Sequence, residues 1–308
     1  MNILITGAAG FIGSHVADRY LELGHRVIII DNLVTGREEN IPARAQFYKM
    51  DICDEKIADV FQKEKPVIVN HHAAQMDVRK SVSDPIYDAR VNVLGGLNLL
   101  QNCIKFGVQK FIFASTGGAI YGEQDYFPAD EQHPLRPLSP YGITKLTTEK
   151  YLYFYQHSYG LTYTILRYAN VYGPRQNPHG EAGVVAIFSE RLLSGKQPII
   201  NGDGLQTRDY VYVEDVVEAN ELVLEKGDNK IYNIGTGIET SVVQLYKYIV
   251  SASGIEMSEV YGPAKPGEQK RSLLSSEFIW KDLGWKPTTP LELGIPKTIQ
   301  FFKKRIVK

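Results

Sequence analysis

Short runs that are apolar at consecutive positions alternate along the chain with longer segments whose apolar residues recur every three or four positions. Ile3–Thr6, Arg26–Asp31, Pro66–Asn70, Lys110–Ser115 and Thr162–Arg167 read as strands buried on both faces, the pattern of a parallel sheet covered by helices. Between the first two, Phe11–Leu23 carries Ile12, Val16, Tyr20 and Leu23 at helical spacing. Ser83–Lys105 reads as one helix with Val91, Leu94, Leu97, Leu100 and Ile104 toward the core, and Asp54 stands where it would cap a helix running to Glu64. This alternation over about the first 170 residues predicts an α/β protein built on a doubly wound parallel sheet.

Beyond Arg167 the rhythm loosens. Tyr168–Gly183 is rich in Gly, Pro, Asn and His and reads as a long functional loop. A helix over Val184–Leu193, short strands around Pro198–Ile200 and Asp209–Val213, and two or three helices after Ser241, separated by a loop over Tyr261–Glu268, are expected. The expected organisation is a first domain over 1–168, to which 212–236 returns, and a smaller interwoven lobe made of 169–211 and 237–308.

Composition narrows the class. The 308 residues carry 34 Lys and Arg against 35 Asp and Glu, a net charge of −1, so no general attraction to nucleic acid or anionic lipid is expected. Cys53 and Cys103, the two cysteines, form no CxxC pair and read as reduced thiols. No basic region precedes an apolar stretch at the N-terminus, and no apolar run approaches the roughly 20 residues that span a bilayer. A cytoplasmic protein without membrane partners is expected.

Gly7-Ala8-Ala9-Gly10-Phe11-Ile12-Gly13 follows the first strand and opens the first helix. Gly7 permits the sharp turn, Gly10 permits close approach of a pyrophosphate, and Gly13 lets the helix pack on the sheet. The amides at the start of the helix, from Phe11 and Ile12 on, then face the phosphates. Asp31 lies 24 residues beyond Gly7, where an acid accepts hydrogen bonds from an adenosine ribose and repels a 2′-phosphate; NAD is therefore expected over NADP, with Arg37 the opposing sign. Asp51-Ile52, after the third strand, is placed to contact the adenine, although Asp51 also suits the N-cap of the next helix. The whole reads as a Rossmann-type domain.

Tyr141-Gly-Ile-Thr-Lys145 follows Ser139-Pro140, a helix-entry signal, on a helix running to about His157. Residues four apart share a face, so phenol and ammonium address one ligand, and a nearby Lys⁺ favours the phenolate and makes a working base. His71 and His72 are neighbours on a strand end, point to opposite faces, and have no acidic partner at ligand spacing, so no metal is expected.

These residues, with Asp31-Asn32, Ala73-Ala74-Gln75, Asn92, Ser115-Thr116-Gly-Gly-Ala-Ile-Tyr-Gly122 and Arg167-Tyr-Ala-Asn-Val-Tyr-Gly-Pro-Arg175, resemble the extended short-chain dehydrogenase/reductase family, most closely its UDP-glucose 4-epimerases. The likeness continues through Gly202-Asp203-Gly204, Thr207-Arg208-Asp209-Tyr210 and Pro266-Gly267-Glu268. It implies retained NAD, Tyr141 as acid and base at the sugar 4-hydroxyl, Lys145 on the cofactor ribose, and Asn32, Ala73, Ala74, Gln75, Asn92, Ser115 and Tyr168 near the cofactor. It places Asn170 and Arg208 on the diphosphate of a UDP-sugar, Glu268 on the uridine ribose, and Val184 and Asn201 in the same substrate lobe. It also implies a homodimer, formed through the helix that carries Tyr151, Tyr153, Phe154, Tyr155 and Tyr159 together with Ser83–Lys105.

Three positions depart from the family. Gly117 stands where a catalytic Ser or Thr hydroxyl is usual, which passes that role to Thr116, to Ser115 or to a water. Lys265 replaces an Arg that grips the diphosphate, which weakens the grip or passes it to Arg271. Ser272 replaces a bulky aromatic in some members, leaving room for an N-acetyl group. A 4,6-dehydratase needs an acid and a base directly after Thr116, where Gly117-Gly118 stand. A uronate epimerase or decarboxylase, using Arg175 or Arg208 for a carboxylate, and a non-catalytic NAD-binding regulator are the remaining alternatives.

Overall fold

A computed structural model describes residues 1–179, 183–264 and 269–306. The first six strands are β1 (Asn2–Thr6), β2 (Arg26–Asp31), β3 (Gln46–Lys49), β4 (Ile68–His71), β5 (Lys110–Thr116) and β6 (Thr162–Tyr168). With Lys230–Ile234 they form one parallel sheet in the order Lys230–Ile234, β6, β5, β4, β1, β2, β3. The strand order reverses between β4 and β1, the point at which open α/β sheets bind ligands outside the carboxyl ends of their strands.

Successive strand residues face opposite sides, and both sides are filled. Ile3, Ile5, Val27 and Ile29 pack with Val16, Ala17 and Tyr20 of α1 (Phe11–Glu22) and with Val216 and Val223. Leu4, Ile28 and Ile30 pack on the other side with Phe61, Leu99, Leu100 and Leu152. Each such side chain contributes about 1.5–3 kcal/mol by leaving water, which is why unbroken Ile and Val runs hold as central strands.

Two local expectations give way. Asp54 does not cap α2 (Ile57–Glu64); its carboxylate takes the Lys56 amide at 2.9 Å, and the helix begins after Lys56 without a side-chain cap. The expected single helix over 83–105 is broken. The helix α3 (Val78–Ser83) ends at Ser83, and Asp84 caps α4 (Pro85–Ala89) by accepting from the Tyr87 amide at 3.1 Å. A π-helical turn at Arg90–Leu94 then leads into α5 (Gly95–Phe106). The wider turn rotates the buried face. Leu94 is exposed, and Asn92, Gly95, Gly96, Leu99, Leu100 and Cys103 face inward.

A second sheet runs Glu239–Ser241, Thr207–Tyr212, Arg271–Ser272, with Asn170–Tyr172 also paired to Thr207–Tyr212. Helices Val184–Leu193, Val242–Ser253 and Leu291–Ile306 cover it through Phe188, Tyr246, Ile249, Ile295 and Ile299. Ile279 and Trp285 pass back to the core of the large sheet. No described helix is long and apolar enough to cross a membrane.

Candidate active site

The turn from β1 into α1 needs glycine. Gly7 has φ +73°, and a Cβ there would lie 2.5 Å from the Ala73 amide nitrogen. A Cβ on Gly13 would meet the Gly7 carbonyl oxygen at 2.7 Å, and one on Gly10 would lie 3.0 Å from that same oxygen. The loop is therefore pressed against the N-terminus of α1, a backbone cradle suited to a pyrophosphate. Phe11 packs edge-on to His15, and Ile12 joins the core.

Asp31 ends β2 beside this loop. Its Oδ2 accepts from the Ala9 amide at 3.0 Å and its Oδ1 from the Leu33 amide at 2.8 Å. Burial raises the Asp31 pKa and the two amides oppose the rise. A carboxylate has further lone pairs, enough for a ribose diol. Gly36, not singled out in the sequence, keeps that space open, since a Cβ there would lie 2.8 Å from Asp31 Oδ1. Arg37 lies 3.6 Å from Glu39.

Asp51 is not the N-cap of α2. Burial pushes its pKa upward, but bonds from the Cys53 amide and the Asn32 side chain, both at 2.8 Å, hold it below the usual value. Ile52 is buried against α5, where a Cβ on Gly95 would lie 2.7 Å from its Cδ1.

The Tyr-Lys pair sits on α7 (Pro140–Tyr159), which begins as the Ser139-Pro140 signal predicts: the Ser139 hydroxyl accepts from the Gly142 amide at 3.1 Å. A Cβ on Gly142 would lie 2.6 Å from the Ala119 carbonyl oxygen, so the first turn of α7 rests directly on α6 (Gly117–Ile120). Lys145 is buried. Its Nζ donates to the Ala114 carbonyl at 2.9 Å and lies 4.8 Å from the Phe113 ring centroid and 5.9 Å from that of Tyr141. Burial lowers its pKa to about 8, while Asp88 and Glu149 oppose that fall.

The two hydroxyls at the end of β5 diverge. Ser115 donates to Glu149 Oε1 at 2.6 Å inside the core, where Glu149 also holds Arg167 through bonds of 3.1 and 2.7 Å. What Ser115 presents to a ligand is therefore backbone. Thr116 faces the other way: a Cβ on Gly118 would lie 3.9 Å from both the Thr116 hydroxyl and the Asn170 side-chain oxygen, so these groups border one small space.

A second buried network was invisible in the sequence. Asp88 accepts from Thr144 at 2.8 Å, Gln75 at 2.9 Å and Asn92 at 3.1 Å, and Asn92 also bonds the Gln75 backbone at 2.8 and 2.9 Å. It ties the Ala73-Ala74-Gln75 turn to α7 next to Lys145. The Ala73 amide donates to Thr6 Oγ1 at 3.2 Å, and Thr6 meets His71 Nδ1 at 2.7 Å. Burial, then Lys145, lowers both His71 and His72, the latter to about 3. His72 lies parallel to the Tyr168 ring at 6.3 Å, and the Tyr168 hydroxyl accepts from Asn220 at 2.9 Å. Tyr168 thus has its hydroxyl turned into the core.

On the substrate side, Arg208 and Ser272 are register partners on adjacent parallel strands, and Arg208 Nη1 donates to the Thr207 carbonyl at 2.7 Å. Beside it, Asp209 is sealed by Thr236 and Gly237, and Glu214 pairs with Lys297. Asn201 lies on the strand Ile200–Asn201, and Val184 opens its helix. Arg271 donates from Nε and Nη2 to the two oxygens of Glu239, at 2.6 and 2.9 Å. Lys265 and Glu268 lie outside the described residues. Among those residues no group of three or more His, Cys, Asp or Glu is placed to hold a metal ion.

The model of the NAD dependent epimerase/dehydratase family matches residues 3–235. The chain belongs to that family. It is similar to the UDP-glucose 4-epimerase of Thermotoga maritima, solved with UDP-glucose, at 52% identity and a TM-score of 0.98 over 99% of this chain and 100% of that one. The UDP-glucose 4-epimerase of Thermus thermophilus, solved with NAD, is 45% identical with a TM-score of 0.94 over 98% and 99%. A UDP-N-acetylglucosamine 4-epimerase of Methanobrevibacter ruminantium, in complex with UDP-N-acetylmuramic acid, is 33% identical with a TM-score of 0.93 over 99% and 98%. The residues of the cradle, with Gly7 closed against Ala73 and Asp31 beside it, fit the family's NAD.

Proposed function

We propose that the chain interconverts UDP-glucose and UDP-galactose by inverting C4 through a 4-keto sugar. The observation that carries this reading is the placement of Tyr141 and Lys145 on α7, resting on α6 beside the space bordered by Thr116 and Asn170. NAD, held by the Gly7–Gly13 cradle and Asp31, would supply the acceptance and return of the C4 hydride. Tyr141 removes the 4-hydroxyl proton and gives it back. Lys145, whose pKa is about 8, remains mostly charged at neutral pH and favours the phenolate. Thr116 donates to the 4-oxygen, a role that Ser115 cannot share because its hydroxyl is bonded to Glu149. Asn170, Arg208 and Lys265 hold the diphosphate, Glu268 the uridine ribose, and Val184 and Asn201 line the nucleotide. Ser272 leaves room for an N-acetyl group, so the N-acetylhexosamine pair is accepted as well.

Two alternatives lose ground on specific residues. A dehydratase lacks its acid and base at Gly117-Gly118. A uronate enzyme that relied on Arg175 would have to break its 2.6 Å ion pair with Asp18. The reading also takes the protein to be a cytoplasmic homodimer of galactose metabolism, in keeping with two thiols that form no disulfide.

The test is a product assay on purified protein with no added cofactor, using UDP-glucose and UDP-N-acetylglucosamine separately. Conversion of both to the galacto sugars is expected, with Ser272→Tyr suppressing the acetylated pair selectively. No conversion even after NAD is supplied overturns the reading.

A further inference from the structure

The segment 122–138 joins α6 to α7 and leads directly into Tyr141, and it is laced to residues 269–275 of the other lobe. Gln269 donates to the Gly122 carbonyl, the Leu273 amide to Gln124 Oε1 at 3.1 Å, the Ala129 amide to the Leu273 carbonyl at 2.9 Å, and the Ser275 amide to the Ala129 carbonyl at 2.8 Å. One side chain reaches in both directions. The Arg271 guanidinium lies 3.8 Å over the Phe127 ring centroid, and its Nε and Nη2 donate to Glu239 at 2.6 and 2.9 Å. Glu239 in turn accepts from the Thr207 hydroxyl at 2.5 Å. Thr207 is the register partner of Arg271, and Arg208 that of Ser272.

We propose that Arg271 is a positioning residue: clamped between Phe127 and Glu239, it holds its strand on Thr207–Tyr212 and thereby sets Arg208 for the nucleotide. The proposal rests on the UDP-sugar reading above. Both Arg271 and Glu239 are partly in water, so the ion pair alone contributes little; the fork geometry and the ring stack supply the rest. The effect on nucleotide affinity is accordingly moderate.

The test compares Arg271→Met, Arg271→Lys, Phe127→Leu and the Arg271→Met/Phe127→Leu double variant in the full chain. UDP binding is measured by calorimetry and uridine binding by saturation-transfer NMR, with kcat and KM alongside. Arg271→Met and Phe127→Leu are each expected to weaken UDP roughly 5- to 20-fold, with KM rising alike, kcat within about twofold, and uridine, which lacks the diphosphate that Arg208 holds, little changed. Arg271→Lys recovers part of the loss, and the double variant is no worse than the poorer single one, as for one shared clamp. A loss for UDP in Arg271→Met with Phe127→Leu at wild-type affinity makes Arg271 a phosphate ligand and overturns the proposal, and so does a loss for uridine equal to that for UDP, which moves the effect away from Arg208. Unchanged binding in every variant overturns the clamp alone, and wild-type protein that binds neither ligand overturns it together with the reading beneath it.

Discussion

Leu274 fills the space into which a side chain at Gly117 would project: a Cβ there would lie 2.4 Å from Leu274 Cδ1. Leu274 is fully buried and is bridged to Ala129, so it has little room to move. A hydroxyl-bearing side chain at 117 would have to displace Leu274, and in the function proposed above Thr116 supplies the hydroxyl instead. Gly117→Ser is expected to lower both melting temperature and turnover, and adding Leu274→Ala to restore turnover in part. Thr116→Val is expected to lower kcat about 100-fold with the fold intact by circular dichroism.

Lys145 links pH to stability. Its pKa is lowered by burial to about 8, so between about 8 and 10.5 the unfolded chain binds more protons than the folded one. Stability contributed by this residue therefore rises with pH across that window, and the burial penalty is fully present below it. Lys145→Met removes the penalty. Urea titrations at pH 7 and pH 9.5 should show the variant ahead of wild type by about 1–3 kcal/mol at the lower pH and by less at the higher, with turnover lost at both.

Glu149 holds Arg167 and Ser115 at once, with both charged side chains almost wholly out of water. Glu149→Gln leaves a buried guanidinium without its counter-charge. A loss of about 3–5 kcal/mol in urea unfolding is expected, larger than for a surface pair.

The helices α3, α4, α5 and α7 pack on one another and carry several exposed apolar side chains. Val82, Ile86, Leu94, Tyr153, Phe154 and Tyr159 are all exposed, Ile86 to 82%. The homodimer proposed above would cover these side chains. Sedimentation at micromolar concentration should give a dimer, and Ile86→Asp with Phe154→Asp a monomer.

Much of this was legible in the chain before folding. The runs at β1, β2, β5 and β6, the glycine cradle, Asp31, and the start of α7 at Ser139-Pro140 all follow from interactions within a few residues, which composition and spacing carry directly. The break at Asp84-Pro85 was legible too, but the core-like stripe of Val91, Leu94 and Leu97 masked it. The π turn that exposes Leu94 lies where Asn92 reaches both Asp88 and the Gln75 backbone, partners that only the folded chain assembles.

The same division holds at the site. The sequence by itself determined that a tyrosine and a lysine share one helical face, and that a strand ends in two hydroxyls, because both are properties of a regular backbone. That the Ser115 hydroxyl turns into the core depended on where Glu149 packs. That Arg271 stacks on Phe127 and pairs with Glu239 depended on residues 144 and 32 positions away along the chain. Such choices rest on contacts between distant segments. Only the tertiary structure decides them, since the chain's local preferences are equally satisfied either way.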